Sequence, residues 1–204
     1  MGASLSPMVA VAPLPRAADG DDRVRLDGIP WETYVALRDS LDEQGSNVRL
    51  TYLEGALEIM SPGGPHEISK KLLGRLIEAY AEERDLDLDG WGSTTYRDKV
   101  LARGLEPDEC YVLGGPKPVP DIAIEIVFSR PKIDKLAVYR GLGVGEVWVL
   151  REGRLTVHVL GPEGYAVRDR SALLPDLDLD LLLSFLLIDE SQTRLVKRFR
   201  AAIR

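Results

Sequence analysis

The sequence predicts a single α/β domain of the α+β kind, with a mixed central sheet flanked by helices. Three observations carry this expectation. Residues 120–128, Pro120-Asp121-Ile122-Ala123-Ile124-Glu125-Ile126-Val127-Phe128, are an Ile- and Val-rich run that reads as a strand buried on both faces. The strand-like runs are joined by tight turns and also by one helical stretch, which together imply antiparallel and parallel neighbours in one sheet. The length of 204 residues suits one substantial core, and 45% apolar with 29% charged residues is ordinary for a globular chain.

Residues 1–22 hold Pro7, Pro13, Pro15 and many small residues, and read as a disordered leader before a single domain over 23–204. Pro30 suits a first helical turn, and Trp31, Tyr34, Val35, Leu37 and Leu41 give a helical stripe ending near Gly45. Two β-prone runs, 48–53 and 56–60, flank Glu54-Gly55, a hairpin signal that sets Leu53 against Ala56 and Thr51 against Glu58. After the breaker cluster 61–65, Ile68, Leu72, Leu73, Leu76, Ile77 and Tyr80 recur at helical spacing, predicting a helix over 66–84 that opens with His66.

Residues 91–101 read as a strand, Arg103-Gly104 as a turn, and 106–113 as a further strand entered through Pro107. Ser129-Arg130-Pro131 closes the central strand and starts a helix that Gly141 and Gly143 end. Residues 144–151 form a strand, and 155–160 with 165–168 form a hairpin. Leu alternates with Asp176, Asp178 and Asp180 over 173–183, which reads as a strand with one wet face. The last ~20 residues look helical and end basic. The sheet thus carries a helix and hairpin before it, and a hairpin and helix after it.

The chemistry lies in the acids. Alternation along 120–128 puts Asp121 and Glu125 on the same face, where an unpaired buried carboxylate is costly. A second Pro-Asp, Pro107-Asp108, opens the preceding strand. If the two strands are neighbours, Asp108 and Glu125 come within a few ångströms. Carboxylates converging at a sheet end suit Mg²⁺ or Mn²⁺, which can polarise a phosphoryl oxygen and acidify a bound water. Lys135 lies ten residues beyond Glu125, on the next helix, and an ammonium there could stabilise charge building at phosphorus. The residue set Asp108, Glu125, Asp121 (metal), Lys135 and His66 is therefore the candidate site for phosphodiester hydrolysis.

Each has a plainer reading. Asp121 after Pro120 equally serves as a backbone cap. Lys135 could be a solvated helix residue, although Arg130, Lys132, Lys135 and Arg140 against Asp134 make a basic strip that could hold a phosphate backbone. His66 could be a structural residue at a helix start, and Cys110 a small core residue.

At Leu53-Glu54-Gly55, Met60-Ser61-Pro62, His66, Glu106-Pro107-Asp108, Pro120-Asp121 to Glu125, Lys135-Leu136, Tyr139 and Gly143-Val144-Gly145-Glu146-Val147-Trp148, the chain resembles the bacterial Uma-type endonucleases. These belong to the PD-(D/E)xK nuclease superfamily, with a restriction-endonuclease-like fold. The resemblance implies Asp108 and Glu125 as metal ligands and Lys135 as the lysine, moved from its usual strand position (here Val127) to the following helix. It also implies an acid after the hairpin glycine, where this chain has Ala56; Glu58, on the same strand face, is the candidate substitute.

The reading is a Mg²⁺- or Mn²⁺-dependent endonuclease acting on nucleic acid, DNA before RNA, as a homodimer, since cutting two strands wants two sites. A single cysteine fits a cytoplasmic location, and no apolar run approaches the ~20 residues of a membrane span. The net charge of −7 opposes nucleic-acid binding in general, though a local basic strip would suffice. The rival readings are a catalytically inactive nucleic-acid-binding or assembly module of the same fold, and a hydrolase of smaller phosphate esters.

Overall fold

The structure, a computed structural model, describes residues 21–204, so the expected leader lies outside the described residues apart from its last two positions. Asp21 is buried, and Asp22 opens a strand that the sequence reading missed. The α+β class is as expected. The strands, however, divide between two sheets.

The first sheet is antiparallel. It comprises β1 (Asp22–Leu26), β2 (Arg49–Leu53), β3 (Ala56–Ser61), β5 (Tyr96–Asp98) and β6 (Arg103–Leu105), in the order β1-β3-β2-β6-β5. Glu54 and Gly55 turn the β2–β3 hairpin with φ of 49° and 92°, matching the twist of the strands they join. The register pairs Leu53 with Ala56 and Thr51 with Glu58, as the two-residue turn requires. Leu50, Tyr52 and Leu57 then face helix α1 (Trp31–Glu43) around Tyr34, while Glu58 points to the opposite face.

Arg103-Gly104 is strand rather than the expected turn. The reversal falls at 99–102, where Asp98 Oδ1 accepts the Leu101 N–H at 2.8 Å. Glycine is needed at 104 for packing: a Cβ there would sit 2.3 Å from the Tyr34 hydroxyl.

The second sheet is mixed. Its strands are β4 (Leu88–Gly90), β7 (Glu109–Leu113), β8 (Ile122–Val127), β9 (Glu146–Arg151), β10 (Arg154–Gly161) and β11 (Gly164–Arg168), in the order β11-β10-β9-β8-β7-β4. Only β8 and β9 are parallel, and α3 (Lys135–Leu142) makes their crossover. Strand β8 is buried on both faces. Ile122, Ile124 and Ile126 pack against Leu72 and Leu76 of α2 (Gly64–Glu83), and against Leu182 of α4 (Leu179–Ser184) and Phe199 of α5 (Gln192–Ala202). Each such side chain contributes about 1.5–3 kcal/mol by burial. Ala123 and Glu125 face the other way, towards Val138 and Tyr139 of α3, which also touches β2 and β6 of the first sheet.

Two further expectations are corrected. Helix α3 begins at Lys135, about a turn later than Pro131, because Asp134 caps it by accepting the Ala137 N–H at 3.2 Å. Gly143, with φ of 79°, ends it. Residues 173–183 are no strand. Leu174 and Leu177 enter the core from a turn, Asp178 caps α4 through the Leu181 N–H at 2.9 Å, and the alternation of Leu with Asp is incidental to that cap. Among the described residues, no helix is long and apolar enough to cross a membrane.

Candidate active site

The antiparallel register of β7 on β8 pairs Glu109 with Ile124 and Cys110 with Ala123. Extended by one position, it sets Asp108 opposite Glu125. Asp108 brackets that position: its N–H donates to the Ile124 carbonyl at 3.1 Å, and its Oδ2 accepts the Ile126 N–H at 2.7 Å. Directly opposed residues share a face of the sheet, with Cβ atoms about 4.5–5.5 Å apart. Both carboxylates are buried, Asp108 at 1% and Glu125 at 3% exposure.

Lys135, the first residue of α3, reaches back over the sheet so that its Nζ donates to Glu125 Oε2 at 2.6 Å. One helical turn on, the Tyr139 hydroxyl donates to Glu125 Oε1. His66, in the first turn of α2, lies between two carboxylates: Nε2 is 3.0 Å from Asp108 Oδ1, and Nδ1 is 3.0 Å from Asp21 Oδ1. Both contacts have ion-pair distances, but neither lies along the ring N–H direction, so Asp108 Oδ1 has no aligned donor. Asp21 continues the chain. Its Oδ2 accepts from Arg23 at 3.2 Å, and Arg23 also donates to Glu58 Oε1 at 2.6 Å and to the Ser129 hydroxyl at 2.8 Å.

The electrostatics follow from this packing. Burial alone would pull the His66 imidazole down, but Asp108 and Asp21 outweigh it and push it up to about 9, so it is cationic at neutral pH. Burial would raise Asp108, yet His66, Lys135 and the Ile126 N–H hold it below the ordinary carboxylate range. Burial and the neighbouring Asp108 raise Glu125, against the pull of Lys135 and Tyr139. Lys135 keeps its proton, because Glu125 and Asp108 outweigh the cost of burying it.

Four buried carboxylates (Asp21, Glu58, Asp108 and Glu125) thus face three cations (Arg23, His66 and Lys135). The cluster is short of positive charge, and Asp108 Oδ1 has a lone pair without an aligned donor. Those features fit a hard divalent ion between Asp108 and Glu125. Among the described residues no group of three or more His, Cys, Asp or Glu converges as a ready-made cage. Mg²⁺ needs none, since it is commonly held by one or two carboxylates with water and substrate oxygens.

Of the residues singled out from sequence, Asp108, Glu125, Lys135 and His66 come together. Asp121 does not. Its Oδ2 accepts the Leu113 N–H at 2.8 Å and Lys117 at 2.7 Å, four residues and about 13 Å along the strand from Glu125. The capping alternative describes it. Lys135 also leaves the proposed basic strip, being 7% exposed and paired, while Arg130, Lys132 and Arg140 stay on the surface. Glu58, on β3, joins the cluster through Arg23, which links it by way of Asp21 and His66 to Asp108. Glu106 is instead structural, tying the Leu50 N–H and Arg38 of α1 together, both at 2.9 Å.

Sequence reasoning missed Asp21 and Arg23, whose only signal was the period-two Asp21-x-Arg23 pattern straddling the end of the segment read as leader. Tyr139 was findable, being four residues from Lys135 on the same helix face.

No curated protein matches the chain significantly. A solved structure described as "a putative nuclease belonging to DUF820 from Anabaena variabilis" aligns at 16% identity and a TM-score of 0.44, over 68% of this chain and 91% of that one. Over residues 31–187, most of its length and all of the site except Asp21 and Arg23, the chain matches the Uma2 family, described as "Putative restriction endonuclease", and it belongs to that family.

Proposed function

We propose that the chain is a divalent-metal-dependent endonuclease hydrolysing phosphodiester bonds in DNA, with Asp108 and Glu125 as metal ligands and Lys135 as the cation at the reacting phosphate. The observation that carries this reading is the cross-strand placement of Asp108 against Glu125, with Lys135 Nζ 2.6 Å from the latter. Mg²⁺ or Mn²⁺ bound there supplies a polarised phosphoryl oxygen and a water of lowered pKa.

The chain's own groups do the rest. The Ile126 N–H and His66 orient Asp108, while Tyr139 and Lys135 orient Glu125. Asp21 and Arg23 act behind His66 as positioning residues. The Lys135 ammonium, protonated and shielded from solvent, faces negative charge developing on the phosphate, where low dielectric strengthens its effect. A homodimer would supply a second site for the other strand.

The test is nicking of supercoiled plasmid. Activity is expected with Mn²⁺ or Mg²⁺ and is lost with chelator, in Glu125→Ala and in Asp108→Ala. Lys135→Met should lower kcat by about 10²–10³. Absence of cleavage under every divalent ion, with DNA binding retained, would overturn the enzyme reading in favour of a binding module.

A further inference from the structure

Beside Glu125 and Lys135 opens a cavity of about 220 Å³, between the approach to α3 and the face of β8–β10 that carries Glu125. Its walls are aliphatic, from Val127, Ile133 and Val149, and Arg151 and His158 close its far side. The sheet register explains the order. Val149 lies beside Glu125 on the parallel neighbour, Arg151 lies beside Val127, and Arg151 pairs in turn with Arg154 across the β9–β10 hairpin. A path therefore runs from the catalytic carboxylate over an apolar patch to two exposed guanidinium groups. Arg151 is half-exposed, and its ion pair with Glu152, at 3.4 Å and itself exposed, is weak enough to be exchanged for a phosphate.

Resting on the nuclease reading above, we infer that this cavity seats one unstacked nucleotide next to the scissile phosphate, so that the preferred substrate is a single strand or a locally unpaired one. Asp108, Glu125 and Lys135 are 1%, 3% and 7% exposed, so a phosphate must enter a recess to meet them. In a duplex the base attached to that phosphate is stacked and paired, and drawing it out costs a few kcal/mol. A single strand meets no such cost. The branched aliphatic side chains accept the face of any base without reading its edge, so base preference on those walls is weak; the charged and titratable groups of the lining are Glu125, Asp134, Lys135, Arg151 and His158. Arg151 and Arg154 take the adjoining phosphates.

The experiment uses the full chain in EDTA, with a short labelled oligonucleotide of mixed sequence, single-stranded or annealed to its complement, followed by fluorescence anisotropy. The single strand is expected to bind about tenfold or more tightly than the duplex. Val149→Trp, which narrows the cavity, should weaken the single strand about tenfold and the duplex little. Arg151→Ala should reduce the dependence of log K on log salt concentration by about 1. Equal or tighter duplex binding, or wild-type affinity and salt slope in both variants, overturns the inference. If thermal melting shows Val149→Trp to be unfolded, Arg151→Ala at its exposed site decides.

The two readings fail separately. This binding pattern without cleavage under any metal removes the nuclease and leaves the subsite. Metal-dependent cleavage with unchanged KM for single strands in both variants removes the subsite and leaves the nuclease.

Discussion

Titrating the metal-free protein through pH 6.5–9 isolates one side chain. The chain has two histidines. Burial lowers His158, so any stability linked to it changes below its ordinary value of 6.5. Burial pushes the Cys110 thiol up to about 11 from 9, so its linkage sets in just below pH 9 and touches only the top of the window. His66 spans the window, at 6.5 when unfolded and about 9 when folded.

A histidine whose folded pKa is raised contributes stability that is fully present below about 6.5 and lost as pH rises through about 9, because the folded state binds the extra proton between them. At about 1.4 kcal/mol per pH unit the loss over the window is about 3 kcal/mol. Both contacts at 3.0 Å are fully buried, so solvent screening does not reduce it. Urea unfolding in EDTA at pH 6.5, 7.5, 8.5 and 9 reads the slope; these values are chosen to bracket the His66 range of 6.5 to about 9. Wild type should lose stability steadily, and His66→Gln should be flat. Should that variant fail to fold, the imidazole proton shift of wild-type His66 supplies the same titration. A wild-type stability that is flat or rises across the window, or an equal slope in His66→Gln, would refute the Asp21–His66–Asp108 ion-pair assignment.

Gly104→Ala drives a Cβ to 2.3 Å from the Tyr34 hydroxyl, which is fully buried and stacked on Tyr52, so unfolding stability should fall by about 1–3 kcal/mol in chemical denaturation. Glu146, 1% exposed, accepts from Trp148 Nε1 and the Ser171 hydroxyl, both at 2.8 Å, and from the Ala172 N–H at 2.6 Å. Glu146→Ala strands those donors and should cost about 3 kcal/mol or more, with Trp148 fluorescence shifting as water enters; an unchanged melting temperature would contradict the network.

Much of the site was legible in the linear order of residues, for a reason. A carboxylate between isoleucines on a strand is too costly to be incidental, and strand alternation alone assigns Glu125 to the face opposite Ile122, Ile124 and Ile126. Tight-turn chemistry likewise settled the Glu54-Gly55 hairpin and with it the facing of Glu58. These are local rules, and local sequence carries them.

What lay outside local rules was decided by the tertiary structure. Asp21 and Arg23 matter because β1 pairs with β3, and the register sets Asp22 against Ser61 and Arg23 against Met60, next to the turn leading to His66. Nothing within 1–22 announces that pairing. Asp121 and Glu125 share a strand face, yet only the partners supplied by neighbouring segments separate a backbone cap at Leu113 from a carboxylate opposite Asp108. Lys135 reads as a surface lysine until α3 is laid across the sheet, when its first turn points at Glu125. Periodicity tells a side chain which way to face. The partner it meets depends on segments distant in sequence, and their approach is set by packing the whole chain.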